Sequence, residues 1–376
     1  MLPVLLTNFH RLHDITVEIL ESSGGTFIVK GAWFTNLDLM ITRDPGNVHH
    51  ITSTNFGIYP KGMGWKNRLD IFGNTLFNSD FDDANSFPVS FHETLLSNAI
   101  SNACKAILDR HILPDSFWKL QKWLGIGKEG KLGDVWTTVD NVLAEQVSLK
   151  RKEMSNRMED EDVDFNALGL HLIGHELLRT VSASNNVIRD NMSGLMFSSQ
   201  DTTSTVLSWS FWLLLKHPVV EKRIQEIQQY FPQNVEMKWL AFGAKELNKL
   251  VYLPAALCET LRLLPPVPFE IRTHVKNDTL PNGRRINQGK NILICTHAMG
   301  RMTSVWGDDC HELQPERWIT HGGGIKHEWP HKFFAFNAGP RICLGKEIAF
   351  TLMKMIASGF IHNYHIQVVE NNPLNP

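Results

Sequence analysis

Long apolar runs are absent from this chain of 376 residues. A transmembrane helix needs about 18 or more consecutive apolar residues, and no stretch of the sequence reaches that length. Polar and charged side chains interrupt residues 1–20, so this stretch does not have the pattern of a signal peptide. The sequence therefore predicts neither a membrane span nor a cleaved leader.

Cysteine content and net charge are both low. The five cysteines are odd in number and widely scattered, so they predict no disulfide framework and fit a reducing compartment. The formal net charge of −2 argues against a protein that binds nucleic acid by electrostatic attraction. The cysteines are Cys104, Cys258, Cys295, Cys310 and Cys343.

Linkers, repeats and low-complexity segments are also absent. With 43% hydrophobic and 20% charged residues, the chain has the composition of an ordinary globular protein with a large core. We therefore expect a single domain over residues 1–376. The chain carries no flavin-binding or nicotinamide-binding motif, so a redox function would need electrons from another protein.

The apolar pattern predicts many helices and a few short strands. Helices are predicted at residues 45–51, over most of 91–149, and at 190–216, 220–230, 244–264 and 346–363. Short strands are predicted at residues 26–30, 37–42 and 292–295, the first two forming a hairpin. The acidic stretch 153–164 is expected to be a solvated loop. The predicted fold class is mainly α with small β-sheets (α+β).

One segment carries fixed residues at fixed spacing. Residues 336–345 read Phe-x-x-Gly-x-Arg-x-Cys-x-Gly, with Phe336, Gly339, Arg341, Cys343 and Gly345 at the fixed positions. Such a pattern arises by chance on the order of once in a million starting points. Taken alone, Cys343 would be a buried structural cysteine, the usual environment of a free thiol. The surrounding motif favours a functional thiol instead.

This motif resembles the haem-thiolate loop of the cytochrome P450 superfamily. The resemblance implies haem b (iron protoporphyrin IX) as the cofactor, with the Cys343 thiolate as axial ligand and as a donor of electron density that favours O–O cleavage. N–H groups at the start of the next helix would stabilise the thiolate. Phe336 would shield the sulfur, and Arg341 would pair with a haem propionate. Gly339 and Gly345 would let the backbone approach the macrocycle.

Two further motifs stand in the order typical of this superfamily. Glu259 and Arg262 form Glu-x-x-Arg on a predicted helix, and Arg317 follows in Pro-Glu-Arg-Trp. Glu-x-x-Arg alone is a weak signal, because Glu176 and Arg179 form a second copy and an isolated copy is normally a solvated ion pair. The order of the motifs favours the first copy. The resemblance implies that Glu259, Arg262 and Arg317 form a buried charge network that braces the cysteine loop.

Three more residues receive roles from the resemblance. Arg272 stands where relatives often place a cation against a haem propionate, and the alternative is a surface arginine. Asp201 and Thr202 match the acid and alcohol that pass protons for O–O heterolysis, although this run could also be ordinary helix surface. Ser199 departs from the pattern, because relatives have a glycine that lets the helix kink and leaves room for oxygen.

A pair of histidines suggests a different kind of site. His171 and His175 have the i, i+4 spacing of a helical metal pair, and Glu176 follows them. However, Arg179 stands where a zincin motif would have its second histidine. We interpret the pair as ordinary helix residues.

Beyond these motifs, the chain is most similar to plant long-chain fatty-acid ω-hydroxylases and alkane hydroxylases. The similar stretches are residues 55–56, 59–62, 77–80, 256–262, 265–269, 300–302, 304–307 and 315–319. The resemblance implies a monooxygenase that inserts one oxygen atom from O2 into a C–H bond of a long-chain fatty acid or alkane. Electrons would come from NADPH through NADPH–cytochrome P450 reductase. We expect a monomer at the cytosolic face of the endoplasmic reticulum membrane, with no nucleic-acid partner.

Three parts of the superfamily pattern are missing from the sequence. There is no N-terminal anchor, no tryptophan with an arginine four residues later, and no terminal sheet before the chain ends at Pro376. Residues 82–91 join stretches that lie far apart in relatives. We therefore expect an internal deletion near 82–91, an incomplete cytochrome P450 fold and weak haem occupancy.

Two other functions stay open at this point. A non-catalytic truncated remnant would keep the cysteine loop but would bind haem weakly or not at all. A helical interaction protein without a cofactor would leave the ordered motifs unexplained.

Overall fold

A computed structural model of the chain describes residues 11–30, 38–69, 94–113, 115–157, 185–225 and 243–367. The chain divides into two units, and each is described by itself. The larger unit comprises Met1–Pro60 and Asp201–Pro376, and the smaller unit comprises Lys61–Gln200. The cysteine loop and the Glu259 motif both lie in the larger unit.

The described residues form thirteen α-helices, six strands, one π-helical turn and four 3-10 turns. The helices are α1 (Leu12–Ser22), α2 (Pro45–His49), α3 (Met63–Arg68), α4 (Thr94–Ile112), α5 (Asp115–Leu124), α6 (Gly127–Arg157), α7 (Asn185–Lys216), α8 (Pro218–Gln225), α9 (Ala244–Leu247), α10 (Tyr252–Leu263), α11 (Thr296–Met299), α12 (Thr303–Trp306) and α13 (Lys346–Asn363). The strands are β1 (Thr26–Val29), β2 (Leu39–Thr42), β3 (Phe269–Thr273), β4 (Asp278–Thr279), β5 (Arg285–Ile286) and β6 (Asn291–Cys295). The π-helical turn is His50–Thr54, and the 3-10 turns are Phe56–Ile58, Pro315–Trp318, Phe334–Phe336 and Gly339–Arg341. The predicted fold class is confirmed.

The strands of the larger unit form one four-stranded sheet and one two-stranded sheet. In the four-stranded sheet the order is β1-β2-β6-β3. β1 and β2 are antiparallel with Thr26 opposite Thr42, as the predicted hairpin requires. β2 and β6 run parallel, whereas β3 and β6 are antiparallel with Arg272 opposite Ile292. The two-stranded sheet places Asp278 of β4 opposite Ile286 of β5.

The main core of the larger unit lies between α7, α10 and α13. Leu253, Leu257 and Leu261 repeat every four residues along α10, so they share one apolar face of the helix. They belong to the same buried cluster as Leu213 of α7 and Met353 of α13. Burying one such side chain stabilises the fold by about 1.5–3 kcal/mol. This packing fixes α10, which carries the predicted charge network.

The smaller unit is built around α4 and α6. Ala103 of α4 belongs to one buried apolar cluster with Leu132 and Val135 of α6. The Arg110 Nε donates a hydrogen bond of 2.6 Å to Glu129 Oε1, and both side chains are buried. None of the residues assigned to the haem site from the sequence belongs to this unit.

The helix predicted over residues 244–264 is wrong in one respect, because the chain forms two helices there, α9 and α10. Pro254 explains the break. A proline has no N–H group and would remove a hydrogen bond from the interior of a continuous helix. In the structure it stands in the first turn of α10, where that N–H would have no partner within the helix.

The loop predicted over residues 153–164 is wrong over its first part, because α6 continues to Arg157. Lysine, arginine, glutamate and methionine are strong helix formers, and in this segment that preference outweighs the high charge. The remainder of the stretch, the His171 and His175 pair, and the junction at residues 82–91 lie outside the described residues.

Candidate functional site

The cysteine loop, residues 334–345, folds back on itself before α13 begins. The Cys343 N–H donates a hydrogen bond of 2.8 Å to the Phe336 carbonyl, and the Ile342 N–H donates one of 3.1 Å to the Gly339 carbonyl. Asn337 adopts a φ of 62°, a conformation that is strained for a side chain other than glycine and that is typical of functional loops. The loop therefore presents Cys343 from a tightly bonded turn.

Cys343 differs from the other cysteines of the larger unit in its exposure. Cys258, Cys295 and Cys310 are buried, whereas Cys343 is exposed. Burial raises the pKa of both Cys258 and Cys295 to about 12, so neither forms a thiolate near neutral pH. Among the cysteines of this unit, Cys343 is the one that stands at an exposed position.

The backbone that follows Cys343 stabilises a negative charge on the sulfur. Burial raises the pKa of the Cys343 thiol above its ordinary value, and the Gly345 N–H, which bonds the sulfur, and the positive charge of Lys346 offset only part of that rise. α13 begins at Lys346, so these groups belong to the start of a helix, as the sequence predicted. The environment therefore contains donors suited to a thiolate ligand.

The two glycines of the loop differ in what they require. Gly339 has a φ of +69°, and a Cβ added there would collide with the carbonyl oxygen of Thr52. Gly345 has an ordinary φ of −81°, and an added Cβ would meet only the Cys343 Sγ, at 3.9 Å. The protein itself therefore requires glycine at Gly339 but not at Gly345.

Arg272 is buried beside the cysteine loop, and its side chain is 0% exposed. Its Nη1 bonds the Glu270 carboxylate and, over 3.0 Å, the Ile271 carbonyl, and its Nη2 reaches Asn337 Oδ1 at 3.5 Å. Its buried Nε has no acceptor within the described part of the chain. The alternative of a surface arginine is wrong. A buried cation with a spare N–H next to the loop has the chemistry that a haem propionate needs.

Glu259, Arg262 and Arg317 lie together in the larger unit. Arg262 donates through Nε to Glu259 Oε2 over 2.8 Å and through Nη2 to Oε1 over 2.6 Å. Arg317 Nε lies 3.3 Å from the same Oε1. The side chains of Glu259 and Arg262 are both 0% exposed, so this is a buried bidentate pair with a second arginine at its edge.

Sequence reasoning missed how this network reaches the cysteine loop. The Trp318 Nε1 donates a hydrogen bond of 2.7 Å to Glu259 Oε2. The Trp318 ring lies edge-on to the Phe333 ring, with 4.5 Å between the ring centroids. The Phe333 ring centroid in turn lies 6.4 Å from that of Phe336 in the loop. The tryptophan of Pro-Glu-Arg-Trp was the available signal, because a buried indole N–H needs an acceptor.

Arg341, Asp201 and Thr202 occupy separate positions. Arg341 is half-buried, and its Cζ lies 5.4 Å from the centroid of the Phe56 ring. Asp201 is exposed and Thr202 is half-buried on α7. This helix is continuous from Asn185 to Lys216 and passes through Ser199 without interruption, at the position where relatives have the kink-permitting glycine. The roles predicted for Arg341, Asp201 and Thr202 stay predictions.

Comparison with known proteins identifies the family. The family model "Cytochrome P450" matches residues 65–376. The chain is 34% identical to alkane hydroxylase MAH1 of Arabidopsis thaliana over 449 positions, covering 100% of this chain and 88% of the relative. It is 30% identical to cytochrome P450 86B1 of the same plant, covering 100% and 81%. It is 32% identical to noroxomaritidine synthase 2 of Narcissus pseudonarcissus, covering 99% and 85%.

A solved structure shows the same fold. The cytochrome P450DA heme domain superposes with a TM-score of 0.70 at 15% identity, covering 95% of this chain and 89% of that one. The family model and the relatives that are at least 30% identical define the class, which is that of haem-dependent oxidoreductases. The chain belongs to the cytochrome P450 family, whose members are monooxygenases.

None of the helices in the described part of the chain combines the length and the apolar character of a membrane span.

Proposed function

We propose that this chain is a haem-thiolate monooxygenase that inserts one oxygen atom from O2 into a C–H bond of a long-chain aliphatic substrate, a fatty acid or an alkane. The observation that carries the proposal is Cys343, the cysteine at an exposed position, in a bonded loop just before the start of α13. The similarity to an alkane hydroxylase supports the aliphatic substrate. NADPH–cytochrome P450 reductase is the proposed electron donor, because the sequence has no flavin-binding or nicotinamide-binding motif of its own.

Several residues of the larger unit would hold haem b, each at a different part of the cofactor. Cys343 would hold the haem iron through its sulfur, Phe336 would shield that sulfur, and Gly339 would keep the loop in its tight turn. Arg272 and Arg341 would each bond a propionate, and the spare buried Nε of Arg272 supports that role. Haem b, when bound, supplies the redox chemistry that activates O2.

Proton delivery is assigned to α7. Thr202 would donate a proton from its hydroxyl, and the Asp201 carboxylate, which is exposed to solvent, would replace it from bulk water. Thr202→Ala should therefore lower the amount of hydroxylated product formed per NADPH consumed, while Thr202→Ser should retain it.

The proposal extends to the organisation and location of the protein. We propose one cytochrome P450 domain over residues 1–376, with an internal deletion near 82–91. The alignment with alkane hydroxylase MAH1 supports the deletion, because it extends over 449 positions, more than the 376 residues of this chain. By resemblance to the family, the protein would act as a monomer at the cytosolic face of the endoplasmic reticulum membrane.

A non-catalytic remnant is the second candidate function. The same alignment favours it, since the relative has segments that this chain lacks. Such a remnant would keep the cysteine loop and lose catalysis. Grafting the missing helices from a close relative should then restore haem binding.

Turnover separates the two candidates. Purified protein is combined with a plant NADPH–cytochrome P450 reductase, NADPH and a long-chain fatty acid or alkane, and hydroxylated product is measured by mass spectrometry. Product that requires NADPH and disappears in Cys343→Ser supports the monooxygenase. Haem-loaded protein that forms no product from either substrate would favour the remnant.

A further inference from the structure

The described residues include one π-helical turn, His50–Thr54, and it lies against the cysteine loop at Gly339. Such turns are rare, because each accommodates one extra residue at a cost in hydrogen-bond geometry, and many occur at functional sites. Here the Asn55 N–H bonds the His50 carbonyl at 2.9 Å, which is the i to i+5 bond that defines the turn. A turn of this kind needs support from outside itself.

Asp278 of β4 supplies that support through one carboxylate oxygen. Its Oδ2 lies 2.7 Å from His50 Nε2, accepts from Asn55 Nδ2 at 3.0 Å and accepts from Tyr59 OH at 2.8 Å. Its Oδ1 accepts from the Thr279 N–H at 2.7 Å. Asp278 therefore holds the π-helical turn at both sides, at its first residue His50 and at Asn55, the residue that follows it, from a strand that is remote in sequence.

The electrostatics agree with this arrangement. Burial alone would raise the pKa of Asp278, but the bonds from His50, Asn55 and Tyr59 outweigh it and hold the pKa well below its usual range. Burial, together with the bond to Asp278, raises the pKa of Tyr59. The pair is therefore a carboxylate and a neutral phenol near neutral pH.

The middle of the π-helical turn touches the cysteine loop and the segment before it. The Thr52 carbonyl is so close to Gly339 that it leaves no space for a Cβ there. The next residue, Ser53, is bonded through its hydroxyl to His331 Nε2 at 2.9 Å. A shift of the turn would therefore be transmitted to Gly339 and, through the 3-10 turn Gly339–Arg341, toward Cys343.

We propose that Asp278 is a positioning residue for the cysteine loop: it fixes the π-helical turn, whose Thr52 carbonyl fixes Gly339. Asp278 need not contact the cofactor for this role. The inference rests on the proposed haem-thiolate function for its spectroscopic consequence, but its structural consequence is independent of haem.

The test compares Asp278→Asn with Asp308→Asn, which changes an exposed aspartate outside this network. An asparagine amide cannot accept hydrogen bonds from all three donors as the carboxylate does. Losing bonds to a charged group lowers the protection of nearby backbone amides from hydrogen exchange by about tenfold or more. In the apo protein, amide hydrogen exchange of residues 336–343 should accelerate about tenfold in Asp278→Asn and should be unchanged in Asp308→Asn. In haem-loaded protein, the red-shifted Soret fraction of the reduced carbon-monoxide complex should fall in Asp278→Asn only.

Other results decide against the inference. If exchange accelerates at residues 50–55 but not at 336–343, Asp278 supports the turn without positioning the loop, and the inference is wrong. If Asp278→Asn does not fold, Tyr59→Phe, which removes a single donor and keeps the ring, is judged by the same two readouts. If wild-type protein gives no red-shifted band, the proposed function fails, while the exchange measurement on the apo protein still decides the role of Asp278.

Discussion

At the residue scale, Glu259 is the acceptor on which the buried charge network converges. Two arginines, the Trp318 indole and the Gln314 N–H all donate to its two carboxylate oxygens. Arg262 in turn reaches the backbone carbonyls of Cys310 and Glu312, at 2.5 and 2.9 Å. Fully bonded buried charges are tolerated, whereas a single missing partner leaves an uncompensated charge.

Replacing Glu259 by alanine should therefore be severe. Glu259→Ala leaves Arg262 buried without its carboxylate, and breaking a buried pair typically costs about 3–5 kcal/mol. We expect lower stability in urea unfolding and lower haem retention. Glu145→Ala, at an exposed position of α6, is the control and should stay within about 0.5 kcal/mol of wild type. Near-normal stability of Glu259→Ala would mean that the network does not brace the fold.

The two loop glycines allow a matched comparison. Gly339→Ala must place a side chain at a φ of +69° and against the Thr52 carbonyl, so we expect a loss of at least about 1–2 kcal/mol in the apo protein. Gly345→Ala has an ordinary φ and free space, so apo stability should not change. If Gly345→Ala nevertheless loses haem, the macrocycle approaches that position. Equal apo stability of the two variants would contradict our account of Gly339.

At the element scale, the sequence predicted what depends on local pattern. Helix α13 has the predicted bounds, Lys346–Asn363, and the β1–β2 pairing matches the predicted hairpin. The apolar pattern continues through the split between α9 and α10 and does not reveal it, whereas Pro254, which cannot donate a helix hydrogen bond, is the local signal for it. The helical conformation of residues 153–157 could not be predicted from charge, which favours a solvated loop there, although the same residue types are strong helix formers.

The elements that sequence reasoning could not find depend on distant partners. The π-helical turn at His50–Thr54 has no local signature, and Asp278, which holds it, follows more than two hundred residues later. The Trp318 bond to Glu259 likewise joins residues far apart in the sequence. Motif spacing could identify Glu259, Arg262 and Arg317 as partners only because a resemblance to a family supplied their pairing.

At the scale of the whole molecule, the question is whether the chain retains enough of the family's fold to hold haem. A domain keeps only about 5–15 kcal/mol of net stability, and each exposed apolar Å² costs about 25 cal/mol. The relative aligned over 449 positions contains segments that this chain of 376 residues lacks. We therefore expect substoichiometric haem, with the propionates held chiefly by Arg272 and Arg341.

The reduced carbon-monoxide difference spectrum of purified protein, recorded for wild type and Cys343→Ser, tests the central claim most directly. Thiolate ligation gives a characteristically red-shifted Soret band because the sulfur donates electron density to the iron. We predict a red-shifted band, weak in proportion to haem content, in the wild type and its complete loss in Cys343→Ser. A red-shifted band that persists in Cys343→Ser, or haem-loaded wild type without the red shift, would contradict Cys343 as the axial ligand.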